Sequence, residues 1–281
     1  MRGCFVFLRD IGYTGETKPS NHSVYLHHLT IMNRLNVLIS IGCFILLQPI
    51  HAQDAKELVR KADARYNGER SSYSEMSMTI IRPTYQRTLA FKSWVTREGD
   101  ALTLITAPAR EKGQSFLKNG NNIWNWNPTI QRLIKLPPSM LSQGWMGSDF
   151  SNDDVLKESS LVKDYRHKLL NQETLSEGPC HVVELIPLEN AAVVWGKIKL
   201  WITVQDELII KSEFYDEDEL LVKTHIASNR KQFDGRLLPS VMDILPADEP
   251  DHKTRVTVQT IRFNEEFPAS FFTQQNMKRI K

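Results

Sequence analysis

Between Lys197 and Val204 every second residue is apolar: Ile198, Leu200, Ile202 and Val204 alternate with Lys197, Lys199, Trp201 and Thr203. A period of two belongs to an extended strand with one buried face, and a helix cannot place such a set on one side. Asp206-Glu207 then turns the chain, "LIIKSEFY" returns, Asp216 to Glu219 turns it again, and "LLVKTHIA" runs back out. Short turns between such runs make an antiparallel meander with one apolar and one mostly polar face. The same pattern recurs in "MSMTII" (76–81) and "TLAFKSWVT" (88–96), which flank Arg82-Pro83-Thr84. "SFLK" leads through the hairpin dipeptide Asn119-Gly120 into "NIWNWN", and "LPSVMDIL" (238–245) and "TRVTVQTIRF" (254–263) close the series. About ten strands are expected.

One face of such a sheet must be covered, by curling, by a second sheet or by helices. Helical material is scarce. Residues 54–66 form one amphipathic helix, with Leu58, Val59 and Ala62 on one face and Lys56, Glu57, Arg60, Lys61 and Asp63 on the other. The remainder is an interruption at 137–158. The expected fold is therefore mainly β: a strongly curved antiparallel sheet with an N-terminal helix and short helices across its concave face. Residues 53–281 contain no Pro-, Gly- or Ser-rich linker and no repeat of fixed length, so they are expected to form one domain.

Ahead of that domain, Met32-Asn33-Arg34 is a charged start, Leu35 to Leu47 is mainly apolar, and Ile50-His51-Ala52 ends on a small residue. This is the pattern of a secretory signal peptide, expected over 32–52 with cleavage after Ala52 and a periplasmic destination. Residues 1–31 then form an upstream extension, and translation is expected to start at Met32. Leaving out Arg2, Arg9, Lys18 and Arg34 with Asp10 and Glu16 takes the formal charge from +2 to zero. That balance excludes the basic footprint of a nucleic-acid binder. Of three cysteines only Cys180 lies beyond Ala52, so the fold rests on an apolar core without an internal disulfide.

The interruption carries the unusual residues. Pro137-Pro138 ends strand pairing. "SMLSQ" suits a short helix with Met140 and Leu141 apolar, and Ser151 with Asp154 three residues on suits the start of another. Between them, Gly144 and Gly147 bracket Trp145-Met146, and Phe150 follows. Two readings stay open: Trp145, Met146 and Phe150 are core plugs tucking a loop onto the sheet, or they are the greasy contact of a mobile flap hinged at Gly144 and Gly147. Asp149, Ser151 and Asp153 fall at calcium-loop positions one, three and five, yet Asp154 and Ser160 occupy positions six and twelve, where glycine and glutamate are needed. Trp124 and Trp126, two apart, share a strand face and serve either core packing or an acyl-chain cavity.

No catalytic motif accompanies them. There is no HExxH, CxxC, G-x-S-x-G or Gly-rich phosphate loop, and His167, His181, His225 and His252 are isolated. Neither catalytic residues nor a metal or cofactor is expected.

Gly113-Gln114-Ser115-Phe116-Leu117, "NIWNWNP", Arg132, Ile134 and "MGSDFSNDD" together resemble the LolA-like outer-membrane lipoprotein-sorting family, in particular the branch found beside inner-membrane exporters of the resistance–nodulation–division type. The resemblance covers 53–281 and implies a half-barrel whose concave apolar face takes up lipid or lipoprotein acyl chains. It further implies a monomeric periplasmic carrier in transient membrane contact, with an inner-membrane transporter as partner. Arg82, Arg87 and Arg110 are the candidates for an arginine that holds the lid. The alternative is a periplasmic interaction module for a transporter or envelope sensor that carries no lipid.

Overall fold

The computed structural model describes residues 54–66, 70–156, 160–191, 193–268 and 270–281. The signal peptide, its cleavage after Ala52 and the start at Met32 lie outside them.

Helix α1 (Ala55–Tyr66) precedes a meander of six strands: β1 (Ser71–Ile81), β2 (Gln86–Thr96), β3 (Ala101–Ala107), β4 (Ser115–Asn119), β5 (Asn122–Asn127) and β6 (Arg132–Leu136). After the interruption, which holds α2 (Asn152–Leu156), come β7 (Tyr165–Leu175), β8 (Gly178–Pro187), β9 (Lys197–Thr203), β10 (Ile209–Tyr215), β11 (Leu221–Phe233), β12 (Arg236–Pro246) and β13 (Lys253–Phe263), then α3 (Gln274–Met277). The described strands form one antiparallel sheet in the order β6-β5-β4-β3-β2-β1-β13-β12-β11-β10-β9-β8-β7.

Thirteen strands replace the expected ten or so. Four strands are not revealed by period two, and each has a local reason. In β3, "ALTLITA" is buried on both faces over residues 101–105, so apolar side chains fall on both sides and no alternation shows. β8 is buried on both faces from Cys180 to Val183, so it shows no alternation of exposure. The five-residue β6 and the polar β7 are the two edges of the sheet, where alternation is not enforced.

The topology explains why the chain is interrupted. Each meander is built from neighbours, and the two are joined through β1 and β13 at the centre of the sheet. Sequence-adjacent β6 and β7 therefore lie at opposite edges, and residues 137–164 must cross from one to the other.

The sheet is strongly curved. Helix α1 lies against both β7 and β12, which stand five places apart in the sheet order, or about 24 Å if flat. A helix is only about 10–12 Å across. On the β12 side, Arg236 Nη1 donates to the Ala64 carbonyl at 3.1 Å. Ala55, Leu58, Val59 and Ala62 pack with Tyr165, Val183, Leu185, Ile198, Leu200 and Phe214, so α1 fills the β7–β10 half of the concave face. Asp54 accepts from the Lys56 amide at 3.0 Å and caps the helix.

The outer face of the other half is also covered. Phe267, Phe271, Phe272, Met277 and Ile280 pack over Trp94, Leu102, Leu117, Trp124, Trp126 and Leu133. Ser115 Oγ donates to the Met277 carbonyl at 2.6 Å and Asn119 Nδ2 to that of Phe272 at 2.8 Å, fixing the C-terminal segment to β4.

Candidate functional site

The crossing segment lies over the β1–β5 half of the concave face. Trp145 is 1% exposed and sits among Met78, Ile80, Leu89, Phe91, Ile105, Phe116, Ile123, Ile244 and Val256. Its ring meets Phe91 and Phe116 edge-on, each at a centroid distance of 5.4 Å. Leu141, Met146 and Phe150 pack around the same cluster. Met140 is half-buried and contributes its carbonyl, which accepts from Asn152 Nδ2 at 2.9 Å.

The segment is knotted by its own hydrogen bonds. The Trp145 amide donates to the Phe150 carbonyl at 2.6 Å, that of Asn152 to Gln143 at 2.9 Å, and that of Asp153 to Leu141 at 3.0 Å. Gly144 and Gly147 lie inside this knot. Gly144 has an ordinary φ of −60°, but a Cβ there would meet the Ser148 carbonyl oxygen at 2.6 Å. Gly147 follows Met146 into the left-handed region, with φ of 78° and 54° respectively. Close approach and turn geometry thus account for both glycines.

Two ion pairs anchor the knot to the sheet. Arg82 donates to both oxygens of Asp149 at 2.9 and 3.1 Å, with the two side chains 10% and 8% exposed. Thr254 Oγ donates to Asp149 at 2.6 Å. Arg87 donates to the Met146 carbonyl, whereas Arg110 lies exposed. Of the three arginine candidates, Arg82 and Arg87 therefore touch the cover.

The second pair is Lys223 with Asp154, whose side chains are 5% and 8% exposed. Burial alone would raise the Asp154 pKa, but the Lys223 charge and hydrogen bonds from Lys223 and Ser151 bring it below the ordinary value. His225, two residues along β11, lies between Phe150 and Phe214 at centroid distances of 5.5 and 4.4 Å. Burial holds its pKa down at about 3, against the pull of Asp154, so the ring is neutral near pH 7.

Lys223, His225 and Trp195 are the residues that sequence reasoning missed. In "LLVKTHIA" the structure turns Lys223, His225 and Ala227 inward and Thr224 and Ile226 outward, while Val222, at a break in register with β10, packs against the α1 cluster. A lysine and a histidine thus stand on the buried face, although the alternation with Val222 and Ile226 reads theirs as the polar one.

Of the two readings of Trp124 and Trp126, the packing fits the core one. They share a face, but it is the outer one, beneath the C-terminal segment, and Trp145 lies across the sheet from them. A cleft of about 360 Å³ opens where β6 passes into the crossing, lined by Ile123, Leu136, Pro137, Pro138 and Leu141 among others. Ile123 belongs also to the Trp145 cluster, so the cleft reaches the covered face. Among the described residues, no group of three or more His, Cys, Asp or Glu could hold a metal ion.

A family model described as "Uncharacterized protein" matches residues 97–279. Among solved structures, a domain assigned to outer membrane lipoprotein sorting from Vibrio parahaemolyticus superposes with a TM-score of 0.72 at 23% identity, covering 82% of this chain and 100% of that one. A LolA superfamily protein from Nitrosomonas europaea gives 0.69 at 23% identity, with 80% and 99% covered. The chain belongs to the matched family, and its fold is LolA-like. A DUF1329 family protein from Desulfovibrio piger shares the LolA-like fold at a TM-score of 0.71 and 21% identity, with 79% and 97% covered. No curated protein matches the chain. The described part of the crossing, residues 137–156, thus packs over the concave face of this LolA-like sheet, and Arg82, Arg87 and Lys223 bond to it.

Proposed function

We propose that this protein is a periplasmic carrier that takes acyl chains of lipids or lipoproteins onto its concave face. It is exported by the signal peptide at 32–52, makes transient membrane contact as a monomer and exchanges its load with an inner-membrane transporter. The observation that carries the reading is Trp145. An aromatic residue of a knotted, separately anchored segment occupies an apolar bed supplied by the sheet. If the cover lifts as a unit, that bed is free for an acyl chain. Burying each CH₂ contributes about 0.8 kcal/mol, so a chain of about 14 carbons gains on the order of 10 kcal/mol before ordering costs. No catalytic step is required.

Mass spectrometry of lipid extracted from the purified protein tests this, together with uptake of a fluorescent fatty acid. Protein that is repeatedly empty and takes up no probe overturns it. A second reading draws on the same residue: with Trp145 in place the bed is filled, as suits an interaction module for a transporter or envelope sensor. That module would stay empty in both assays.

A further inference from the structure

The Trp145 bed is apolar, whereas its neighbour across β11 is not. Around the single ring of Phe214 stand the Lys223 ammonium at 5.2 Å from the centroid, His225 at 4.4 Å and Trp195 at 5.2 Å. The ammonium lies 4.6 Å from the Trp195 ring centroid as well. Trp195 Nε1 and His225 Nε2 are buried and have no hydrogen-bond partner among the described residues. Both residues are more than nine-tenths buried, so water does not readily satisfy them. The Lys223 charge has a partner, but Asp154 belongs to the cover.

Lifting the cover separates this pair. A buried ammonium that loses its carboxylate is costly, and two aromatic rings compensate only in part. The open form therefore presents a desolvated cation, an indole N–H and an imidazole with nothing to bind. We propose that this cluster receives the anionic head, carboxylate or phosphate, of an amphiphile whose tail lies in the Trp145 bed, and that Asp154 occupies the head's place in the closed form. The proposal rests on the carrier reading and narrows it to anionic ligands.

Strand register supports the joint placement of head and tail. His225 pairs with Ile244, and Ile244 with Thr254; one step along, Met242 pairs with Val256, Val256 with Met78, and Met78 with Leu89. These residues form a continuous inner row from β11 to β2, of which Ile244, Val256, Met78 and Leu89 belong to the Trp145 cluster. Four strand spacings make the row about 19 Å long, comparable with an extended fatty acyl chain.

The test is displacement of a bound fluorescent fatty acid from the purified protein. Myristate is compared with methyl myristate, and dimyristoyl phosphatidylglycerol with dimyristoylglycerol. Wild type is expected to bind each anion at least about tenfold tighter than its neutral counterpart, and the pair with the larger ratio identifies the head as carboxylate or phosphate. Asp154→Asn, which removes the competing charge, is expected to raise that ratio by about tenfold. The double variant Lys223→Met/Asp154→Leu leaves no unpaired charge and is expected to bring the ratio to about one. Equal affinities in wild type, or a double variant that keeps its preference, overturn the proposal and leave the carrier reading standing. If neither anionic nor neutral amphiphiles bind wild type, both readings fall. Should the double variant not fold, the ratio in wild type and Asp154→Asn still decides.

Discussion

Trp145 donates no hydrogen bond from its indole to any described residue, although it is the largest fully buried side chain. Its contribution is therefore one of volume. Trp145→Ala should cost about 3–5 kcal/mol, the usual loss for a large buried aromatic, and Trp145→Phe much less, since no hydrogen bond is lost. On the carrier reading, added fatty acid should restore part of the melting temperature of the alanine variant by filling the vacated bed, whereas a core without a ligand role shows no recovery. His225 makes a prediction of opposite character. Its folded pKa of about 3 lies below the ordinary 6.5, so between those values the unfolded chain binds the extra proton. Stability is fully present above about pH 6.5 and declines as the pH falls toward 3, by up to about 1.4 kcal/mol per pH unit. The lowered carboxylate of Asp154 adds its own loss only below its ordinary value of 3.8. Thermal melts of wild type and His225→Phe between pH 6.5 and 4.5 separate the two, and equal slopes would refute the assignment to His225. Neither role was legible from local sequence. Period two puts Lys223 and His225 on one face but, with Val222 and Ile226 opposite them, reads that face as the polar one; that Asp154 meets one and Phe150 the other depends on a segment some 70 residues away.

At the scale of elements, legibility followed cover. β9, β10 and β11 alternate because the two faces of each meet different surroundings. β3 does not, because the crossing lies on one of its faces and the C-terminal segment on the other. The same double cover explains why the side of the sheet that Trp124 and Trp126 face was not legible: their spacing shows that they share a face, and nothing local says which. The C-terminal segment was not anticipated at all, since "FFTQQNMKRI" carries neither a strand period nor a helix long enough to show one. Deleting residues 265–281 should expose Trp94, Trp124 and Trp126, shift tryptophan emission to longer wavelength and promote aggregation through the uncovered patch. An unchanged, monomeric spectrum would contradict that role. The crossing is a different kind of element, held by its own bonds and by charge pairs at two points. Removing one member of a buried pair leaves the other uncompensated, at about 3–5 kcal/mol. Arg82→Ala should concentrate that loss in the cover, seen as faster amide exchange over 142–155 while β1, β2 and β13 stay protected. Uniform acceleration across the sheet would mean that the cover does not open separately. Gly144→Ala should loosen the same stretch, because its Cβ meets the Ser148 carbonyl.

For the whole molecule, the order of the strands determines what can be removed. β13 is the last strand in the chain and stands at the centre of the sheet, between β1 and β12. Its pairing with β1 runs from Ser72↔Phe263 to Ile81↔Lys253, and its Val256 and Thr254 reach the Trp145 bed and Asp149. The first meander is therefore completed by the final strand. A chain ending at residue 252 retains all of β1–β12, so sequence length alone suggests nearly a whole protein. The topology says otherwise: the sheet is cut in two at the middle, β1 and β12 both become open edges, and the cover loses part of its bed and one of its anchors. Such exposed edges favour pairing between chains. The truncated protein is expected to lose cooperative unfolding, whereas a chain ending at residue 264, although its uncovered patch promotes association, keeps the full sheet and should still melt in a single transition. Circular dichroism melts of the two decide the matter. A sharp, reversible transition in the shorter chain would show that the N-terminal meander closes without β13, and that the half-barrel is two independent halves instead of one continuous sheet.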